Sequence, residues 1–393
     1  MTSTLSILQQ VLAAAETKDY QGYSKFDALN SPMLNKLAFG SKWLQLLYTQ
    51  MVKASPVNLR PLLGVQTSRN PKGIALFARA YFFLFEHTRE TAMLARGERL
   101  VQWLLDNPSP GQGRLCWGYN FVWQSTLFRQ GRYAPNAVVT VFVGEALIHA
   151  YRLTRNKHYL AAARSIAEFI VRDLPVLHDT PDERAIAYVL EPVKAIVLNN
   201  QILTAAFLVK VWKHTEEDHL LAIAQRQINY TVHRRTAYGA WYYTFPKGKS
   251  PIQHDNYHTG GILDGLLEYQ QETNDKRYDG VYWRGLSYYQ ENLFEPDGAP
   301  RWMNTRSYPH DIHGAAQGII SFTKASEYAP EYLAWAHKVA HWTLANLYRP
   351  QTCDFAYRIS RWGRWNYSLM RWCNAWMARA LGELVNAEES RQT

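Results

Sequence analysis

The stretch Ala137-Val-Val-Thr-Val-Phe-Val-Gly-Glu-Ala-Leu-Ile148 is rich in apolar and small residues around the whole circumference of a helix. After a tight break at Arg155-Asn156, the run His158–Val171 carries its apolar residues on one side only. A helix that is apolar all round is buried, whereas an amphipathic helix exposes one side to water. The pair therefore predicts a hairpin of one inner and one outer helix.

The same pair of runs recurs along the chain at a spacing of roughly 60 residues, which indicates a repeat architecture. The inner-type runs begin near Lys72, Pro135, Pro192, Asp255, Asp311 and Tyr367. Outer-type runs follow five of them, beginning near Thr91, Lys157, Glu216, Lys276 and Pro330. Stacked hairpins of this kind bury a continuous core between neighbours.

The sixth inner run, Tyr367–Val385, has no outer run after it, so the N-terminal region must supply its partner. We predict that a helix over Met33–Val52 pairs with it and closes a ring, and that Leu5–Ala15 forms an extra outer helix. A closed ring leaves no exposed end repeat. The expected fold is all-α, an (α/α)6 toroid or six-hairpin barrel, formed by residues 1–393 as a single domain.

The connections that lead into the inner runs are long and aromatic, whereas the reverse connections are tight, as at Asn274-Asp275. The long connections therefore share one rim, and loops on a rigid scaffold commonly build a binding cleft. The last connection alternates Arg and Trp around Gly363, which predicts a small β-hairpin. Rings that could stack on sugars make these the candidate substrate-binding aromatics: Trp117, Trp241, Tyr243, Trp302, Trp362 and Trp365.

Two similar stretches, Gln253-His-Asp-Asn-Tyr-His-Thr-Gly-Gly261 and Ser307-Tyr-Pro-His-Asp-Ile-His-Gly-Ala315, each open an inner run with a His-Asp pair and a second His. Neighbouring inner helices would bring these groups to one mouth, and Asp and His commonly transfer protons. Asp is also a preferred N-cap, so a capping role for each carboxylate stays open. The candidate catalytic residues are Asp255, Tyr257, His258, Asp311 and His313.

The spacing of His254 and His258 also suits two zinc ligands on one helical face. No Glu lies between them, and we expect hydrogen-bonding histidines with no metal and no cofactor. The following pair Gly260-Gly261 costs about 1 kcal/mol per glycine relative to alanine in a helix. Either close helix packing or the close approach of a substrate would offset that cost.

A third polar and aromatic cluster is Tyr20-Gln-Gly-Tyr-Ser-Lys-Phe-Asp-Ala-Leu-Asn-Ser-Pro32. We expect Tyr23 and Asp27 at the mouth of the cleft, where they would bind substrate. Asp27 and Asn30 are also typical turn residues, so a loop with side-chain-to-backbone hydrogen bonds is the alternative.

The formal net charge of +10 favours an acidic partner. Because the basic residues concentrate on loops without a known nucleic-acid motif, an acidic glycan is favoured over nucleic acid. Arg makes bidentate contacts to carboxylates, so Arg306 and Arg361, together with Tyr308, are further candidate substrate-binding residues.

Three widely spaced cysteines, Cys116, Cys353 and Cys373, form no disulfide framework. The N-terminus has no basic start, and no apolar run reaches the roughly 18 residues needed to span a bilayer. We therefore expect a cytoplasmic protein without a membrane span.

The chain resembles the six-hairpin toroid superfamily of carbohydrate-active enzymes, and within it a VpsJ-like group encoded with bacterial exopolysaccharide biosynthesis genes. Tyr20–Pro32, Asp255–Gly260 and Tyr308–His313 carry the resemblance. It implies polysaccharide synthesis, with assembly proteins as possible partners. Relatives on this fold include unsaturated glucuronyl hydrolases, uronate lyases, glucuronyl C5-epimerases and N-acylglucosamine 2-epimerases, although the His-Pro-Gly-His helix start of the last group is replaced here by Tyr257-His-Thr-Gly-Gly261.

The leading hypothesis is an enzyme acting on an acidic, uronate-containing polysaccharide or oligosaccharide. In a hydrolase, Asp255 and Asp311 would be the acid and base. In a lyase or C5-epimerase, the Tyr and His candidates would exchange protons at the carbon next to the carboxylate, which Arg306 or Arg361 would neutralise. The alternatives are a sugar 2-epimerase and a non-catalytic glycan-binding or assembly factor.

Overall fold

The structure is a computed structural model that describes residues 3–191 and 193–389. Its fourteen described α-helices are α1 (Thr4–Thr17), α2 (Pro32–Leu37), α3 (Lys42–Ala54), α4 (Pro71–Thr88), α5 (Thr91–Asp106), α6 (Ala137–Thr154), α7 (Lys157–Arg172), α8 (Leu198–Thr215), α9 (Asp218–Val232), α10 (Asn256–Thr273), α11 (Asp279–Leu293), α12 (Ile312–Ala325), α13 (Glu331–Asn346) and α14 (Trp376–Glu389).

Short strands lie in the long connections between outer and inner helices. They are β1 (Trp123–Gln124), β2 (Arg129–Gln130), β3 (Val176–Asp179), β4 (Arg184–Ile186), β5 (Ile196–Val197), β6 (Thr244–Phe245), β7 (His310–Asp311), β8 (Tyr348–Arg349), β9 (Asp354–Phe355), β10 (Arg358–Ser360) and β11 (Gly363–Trp365). All the pairs are antiparallel. The predicted hairpin at Gly363 is present as β10–β11, and β7 pairs with the other edge of β10.

The helices form two concentric rings, which confirms the predicted (α/α)6 toroid. Neighbouring inner helices contact one another in the order α4, α6, α8, α10, α12 and α14, and α14 packs back against α4. Each of α5, α7, α9, α11 and α13 packs against the inner helix that precedes it. Among the described helices, α6 alone is long and apolar enough to cross a membrane, with 67% of its residues buried inside the ring.

The helix that pairs with α14 differs from the prediction. The helix α1, which contains the whole of the predicted extra helix Leu5–Ala15, packs against α14 and buries a stripe that includes Leu8 and Leu12. The predicted partner Met33–Val52 instead forms α2 and α3, separated by a turn at Phe39-Gly40. Both helices pack on the 3-10 turn Asp27–Asn30, and α3 also contacts β1. The apolar stripe of α1 suits it to the closing position.

Most inner helices begin within a few residues of the predicted positions. Asn70 and Asn136 accept hydrogen bonds from backbone N–H groups of the first turns of α4 and α6, as N-caps do. The third inner helix starts late, at Leu198, because Ile196–Val197 pairs with β6 as a strand; Pro192 lies outside the described residues. The last begins at Trp376, after a π-helical turn over Met370–Ala375.

Candidate active site

A cavity opens on the loop-rich rim and runs down the axis of the ring. Its space, open mouth included, is about 1170 Å³, and all six inner helices line it. The first turns of these helices, together with the π-helical turn before α14, place side chains around its upper part. Those that bear on chemistry are Lys72, Tyr257, His258, His313, Arg371 and Trp372.

Asp255 and His258 form a dyad at the start of α10. Asp255 stands at the N-cap position and is 1% exposed, yet its carboxylate accepts no capping hydrogen bond. Its Oδ2 lies 2.8 Å from Nδ1 of His258, at ion-pair distance but without the alignment of a directed hydrogen bond. A carboxylate beside one ring nitrogen fixes the orientation of an imidazole and leaves the other nitrogen for proton transfer. His258 also packs against Tyr243, with ring centroids 4.3 Å apart.

His313 lies in the first turn of α12 between two aromatic rings. It stacks on Tyr257 with centroids 4.4 Å apart and an interplanar angle of 9°, and its centroid is 4.2 Å from that of Trp376. Burial lowers the pKa of His313 well below its usual value, and nearby cations, Lys72 foremost, lower it further. His313 is therefore a neutral imidazole at neutral pH, the form that accepts a proton.

The ring of Tyr257 separates the two imidazoles. Its centroid is 4.4 Å from that of His258 and 4.4 Å from that of His313. Burial, with the nearby Asp255 and Asp311 carboxylates, raises the pKa of the Tyr257 phenol well above its usual value. Tyr257 therefore stays protonated and can donate a hydrogen bond, while the flanking histidines are the groups suited to exchange protons.

Two cations reach the cavity without a carboxylate partner among the described residues. Lys72 of α4 is 6% exposed and Arg371 of the π-helical turn is 3% exposed. Aromatic rings surround both: the Lys72 Nζ atom lies 3.8 Å from the ring centroid of Phe142, and the guanidinium of Arg371 lies 5.0 Å from that of Tyr119. Burial lowers the pKa of both groups, and the charge of Arg371 lowers that of Lys72 further. A buried charge without a counter-ion is costly, so an anion in the cavity would stabilise the charged forms of both side chains.

Asp311, the expected partner of Asp255 in catalysis, lies behind the cavity wall. It is 3% exposed, and its Oδ1 caps α12 by accepting from the backbone N–H of His313 at 3.0 Å. The same oxygen accepts from the indole Nε1–H of Trp372 at 2.7 Å, and Oδ2 accepts from Lys25 Nζ at 3.1 Å. These partners occupy the carboxylate, so the two similar His-Asp stretches have diverged: Asp311 caps its helix and Asp255 faces a histidine.

The cluster Tyr20–Pro32 contributes different residues from those expected. Asp27 is buried in an ion pair with Arg60, at 2.5 Å between Oδ1 and Nε, and neither Asp27 nor the half-buried Tyr23 lines the cavity. Phe26 lines the cavity instead. Burial lowers the pKa of Lys25 to about 7, and its Nζ lies 3.7 Å from the ring centroid of Trp372.

His254 does not share a metal-binding face with His258. Its Nδ1–H donates to the carbonyl oxygen of Trp241 at 2.7 Å, and its Nε2 lies 2.9 Å from the Tyr238 hydroxyl. Both ring nitrogens are therefore engaged. In the described part of the chain, the one cluster with metal-ligand spacing is Glu168, Glu217 and His219, away from the cavity.

Of the aromatic residues expected to bind sugar, Tyr243 lines the cavity and the others do not. Trp117 and Trp241 are each 1% exposed, and their indole N–H groups donate to backbone carbonyls of α5 and α9, so they fasten loops to outer helices. Trp302 and Trp365 are partly buried in the rim. Four candidates are exposed on the rim loops outside the cavity lining: Arg306, Tyr308, Arg361 and Trp362.

The floor of the cavity is a network of ion pairs from six helices. Lys210 Nζ lies 2.7 Å from carboxylate oxygens of both Glu145 and Glu268. Lys324 pairs with Glu268 and lies 3.8 Å from Asp264. Arg79 and the pair Arg379–Glu383 complete the network. Each carboxylate that lines the cavity is thus ion-paired, and the described residues offer no free carboxylate pair there.

Adjacent glycines in α10 do two different things. A Cβ atom on Gly260 would lie 2.5 Å from Cγ of Gln317 and 2.7 Å from the Tyr289 hydroxyl, so this glycine permits α10 and α12 to pack closely. A Cβ atom on Gly261 would meet nothing within 4 Å, and Gly261 lines the cavity. Packing therefore accounts for the first glycine, and open cavity space lies above the second.

We expect Gly261→Ala to raise the free energy of unfolding by about 0.5–1 kcal/mol, because it gains helix propensity without a clash. Gly260→Ala, the matched control one residue earlier, should lower that free energy by about 1–3 kcal/mol through overpacking. Urea denaturation of both variants checks the pair. Equal effects of the two substitutions would contradict the assignment of packing to one glycine and cavity space to the other.

No protein-family model and no curated protein matches the chain. Solved structures do. A sugar epimerase from a ruminal bacterium has a TM-score of 0.65 and 13% identity over 84% of this chain and 90% of its own. A GH76 α-mannanase from Bacteroides thetaiotaomicron has a TM-score of 0.64 and 16% identity, over 84% of this chain and 89% of its own. An unsaturated glucuronyl hydrolase specific for heparin has a TM-score of 0.62 and 13% identity, over 99% of this chain and 97% of its own. The chain therefore has the six-hairpin toroid fold.

Proposed function

We propose that this protein is a carbohydrate-active enzyme that transfers a proton at the carbon next to the carboxylate of a uronate-containing polysaccharide or oligosaccharide. A C5-epimerase and a lyase both begin with this step. The observation that carries the proposal is the content of the cavity: two imidazoles on either side of Tyr257 lie in the same space as Lys72 and Arg371, two buried basic side chains without a carboxylate partner in the described part of the chain.

The roles follow from charge and position. Lys72 and Arg371 bind the substrate carboxylate and stabilise the negative charge that develops on it when the neighbouring carbon loses its proton. The neutral His313 accepts that proton. His258, oriented by Asp255, delivers a proton to the opposite side of the carbon, which inverts the stereocentre; in elimination it protonates the departing oxygen instead.

Hydrolysis by two carboxylates accords less well with the cavity. That mechanism needs a pair of acidic side chains on either side of the glycosidic bond. Asp255 and Asp311 are 1% and 3% exposed, and Glu145, Asp264 and Glu268 are ion-paired in the floor. His258 and His313 both line the open space and are not engaged in the ion pairs of the floor.

A sugar 2-epimerase is the second candidate, supported by the similarity to a sugar epimerase. The same two histidines would exchange a proton at C2 of an open-chain sugar, and Lys72 with Arg371 would hold the enolate oxygen. This candidate predicts activity on neutral sugars, whereas the leading proposal predicts a requirement for the carboxylate.

The assay that separates these reactions uses a panel of uronate polymers and neutral sugars, followed by NMR. We expect altered ring couplings at C5 or new vinyl protons in at least one uronate polymer. New reducing ends without either change would identify a hydrolase, and a change confined to neutral sugars would favour 2-epimerisation. Tight binding without any reaction would favour a glycan-binding or assembly factor.

We further propose that the reaction belongs to exopolysaccharide synthesis in the cytoplasm. The VpsJ-like stretches Tyr20–Pro32, Asp255–Gly260 and Tyr308–His313 support this placement. All three also supply residues that line the cavity, namely Phe26, Tyr257, His258 and His313. Deleting the gene should reduce or alter the acidic polymer that the cell makes.

We expect Lys72→Met to weaken the binding of an acidic oligosaccharide about 10- to 100-fold, because a charged hydrogen bond contributes about 1.5–3 kcal/mol. Since burial lowers the pKa of Lys72, anion binding should also raise it again and take up a proton. Isothermal titration calorimetry in buffers of different ionisation enthalpy measures both effects. Lys157→Met removes the same charge from the exposed start of α7 and should change neither; an equal loss in this control would contradict a specific site.

A further inference from the structure

The helices α2 and α3 expose a large apolar surface outside the ring. We call it the α2–α3 patch and define it by Met33, Leu37, Phe39, Trp43, Leu47 and Met51, each at least 44% exposed. Phe39 and Trp43 are 82% and 73% exposed. Single exposed apolar residues are normal on a protein surface, but a contiguous group of this size indicates an interaction site.

The polarity of α3 is largely reversed relative to an ordinary surface helix, since Val52 is the one apolar residue among its three buried ones. Trp43, Leu47 and Met51 recur at every fourth position and face solvent, whereas Gln45 and Thr49 are buried. The buried polar groups have partners: Gln45 Oε1 accepts from Arg129 Nε at 3.3 Å, and the Thr49 hydroxyl donates to the Gln45 carbonyl at 2.8 Å. A surface helix normally turns its apolar side to the core, so the apolar side of α3 is available for a contact outside this chain.

The chain segment that carries the patch has charges of one sign. The chain contains no Asp or Glu between Asp27 and Glu86, while Lys36 and Lys42, next to Leu37 and Trp43, are exposed. Aromatic and aliphatic side chains flanked by lysines, in a segment without acidic residues, are the composition of a helix that lies in a membrane interface. Anionic lipid headgroups attract such lysines.

We propose that the α2–α3 patch docks on the surface of an anionic lipid bilayer. The apolar side chains of the patch enter the headgroup region, and Lys36 and Lys42 contact the anionic headgroups. The cavity mouth lies close to this surface, because α3 packs on β1 and on the turn after Phe26, and both Phe26 and Trp123 line the cavity. The inference does not depend on which reaction the cavity performs.

The test is co-sedimentation of the full chain with vesicles of phosphatidylglycerol and phosphatidylcholine in equal amounts, compared with phosphatidylcholine alone. We expect binding to the anionic vesicles that weakens at high salt. Trp43→Asp and Leu47→Asp should each reduce it about tenfold or more. Trp362→Asp is the matched control, because Trp362 is 88% exposed in a different loop, and it should bind like the wild type.

Circular dichroism establishes that each variant is folded before binding is measured. Absence of binding to anionic vesicles would overturn the proposal, as would binding that Trp43→Asp and Leu47→Asp leave unchanged. If the wild type does not bind vesicles but forms a dimer in solution, and the two substitutions prevent that dimer, the patch is an interface between copies of this chain and the membrane proposal is wrong.

Discussion

His258→Asn is expected to lower the turnover of an acidic glycan by about 10²- to 10⁴-fold, the usual contribution of a positioned acid or base. Asn keeps the approximate size and polarity of the imidazole but cannot exchange a proton. The substrate carboxylate would still meet Lys72 and Arg371, so its dissociation constant should change only a few-fold. Steady-state kinetics with calorimetric binding separates the two quantities.

Two further variants make this result specific to the dyad. Asp255→Asn should also lower turnover, since the amide no longer holds His258 in one orientation as a neighbouring anion does. His219→Asn, on the exposed surface of α9, should leave turnover unchanged. Full activity of His258→Asn would remove the dyad from the mechanism.

Glu268→Gln is expected to lower the free energy of unfolding by about 3–5 kcal/mol, because removing one partner of a buried ion pair leaves the other charge uncompensated. Glu268 contacts both Lys210 and Lys324 in the cavity floor. These two cations pull the pKa of the Glu268 carboxyl well below its usual value, despite its burial. Urea denaturation at neutral pH measures the loss.

The surface variant Glu291→Gln controls for the change of net charge. Glu291 is exposed on α11, where it accepts a hydrogen bond from the Ser287 hydroxyl, and its replacement should change the unfolding free energy by less than about 0.5 kcal/mol. A similarly small effect for Glu268→Gln would mean that the floor network contributes little to the stability of the ring.

The repeat made the toroid predictable from sequence because inner and outer helices differ in polarity at every period. The helix that pairs with α14 and closes the ring was harder to predict. Met33–Val52 is long and apolar enough to look like an outer helix, but its apolar residues Trp43, Leu47 and Met51 face solvent. A pattern of apolar residues does not show whether that side of the helix packs against its own chain or faces a different molecule.

The site was partly predictable. The two His-Asp stretches correctly marked the first turns of α10 and α12, and His258 and His313 both line the cavity. The sequence could not show that the Asp311 carboxylate caps its helix whereas the Asp255 carboxylate does not. The Asp311 carboxylate is held in place by Lys25 and Trp372, which are distant from it in sequence.

Lys72 and Arg371 were missed as cavity cations, although both stand near the starts of inner runs. Their register is the same as that of the two His-Asp stretches, so aligning all six helix starts would have marked them. The rim residues Arg306 and Arg361 attracted attention instead because they are adjacent to aromatics. The position of an Arg next to an aromatic residue in a loop does not predict that its side chain points into the cavity.

The most direct measurement of the central claim is the exchange of hydrogen with solvent at C5, the carbon that loses its proton in the proposed mechanism. The protein is incubated in deuterated water with the uronate polymer that it binds, and NMR follows the C5 position. We predict deuterium at C5 of the recovered or epimerised polymer, or vinyl protons if elimination follows, in the wild type and not in His313→Asn, which lacks the group that accepts the C5 proton. Reaction of the polymer with C5 fully protonated, or equal exchange in the variant, would contradict the proposed proton transfer.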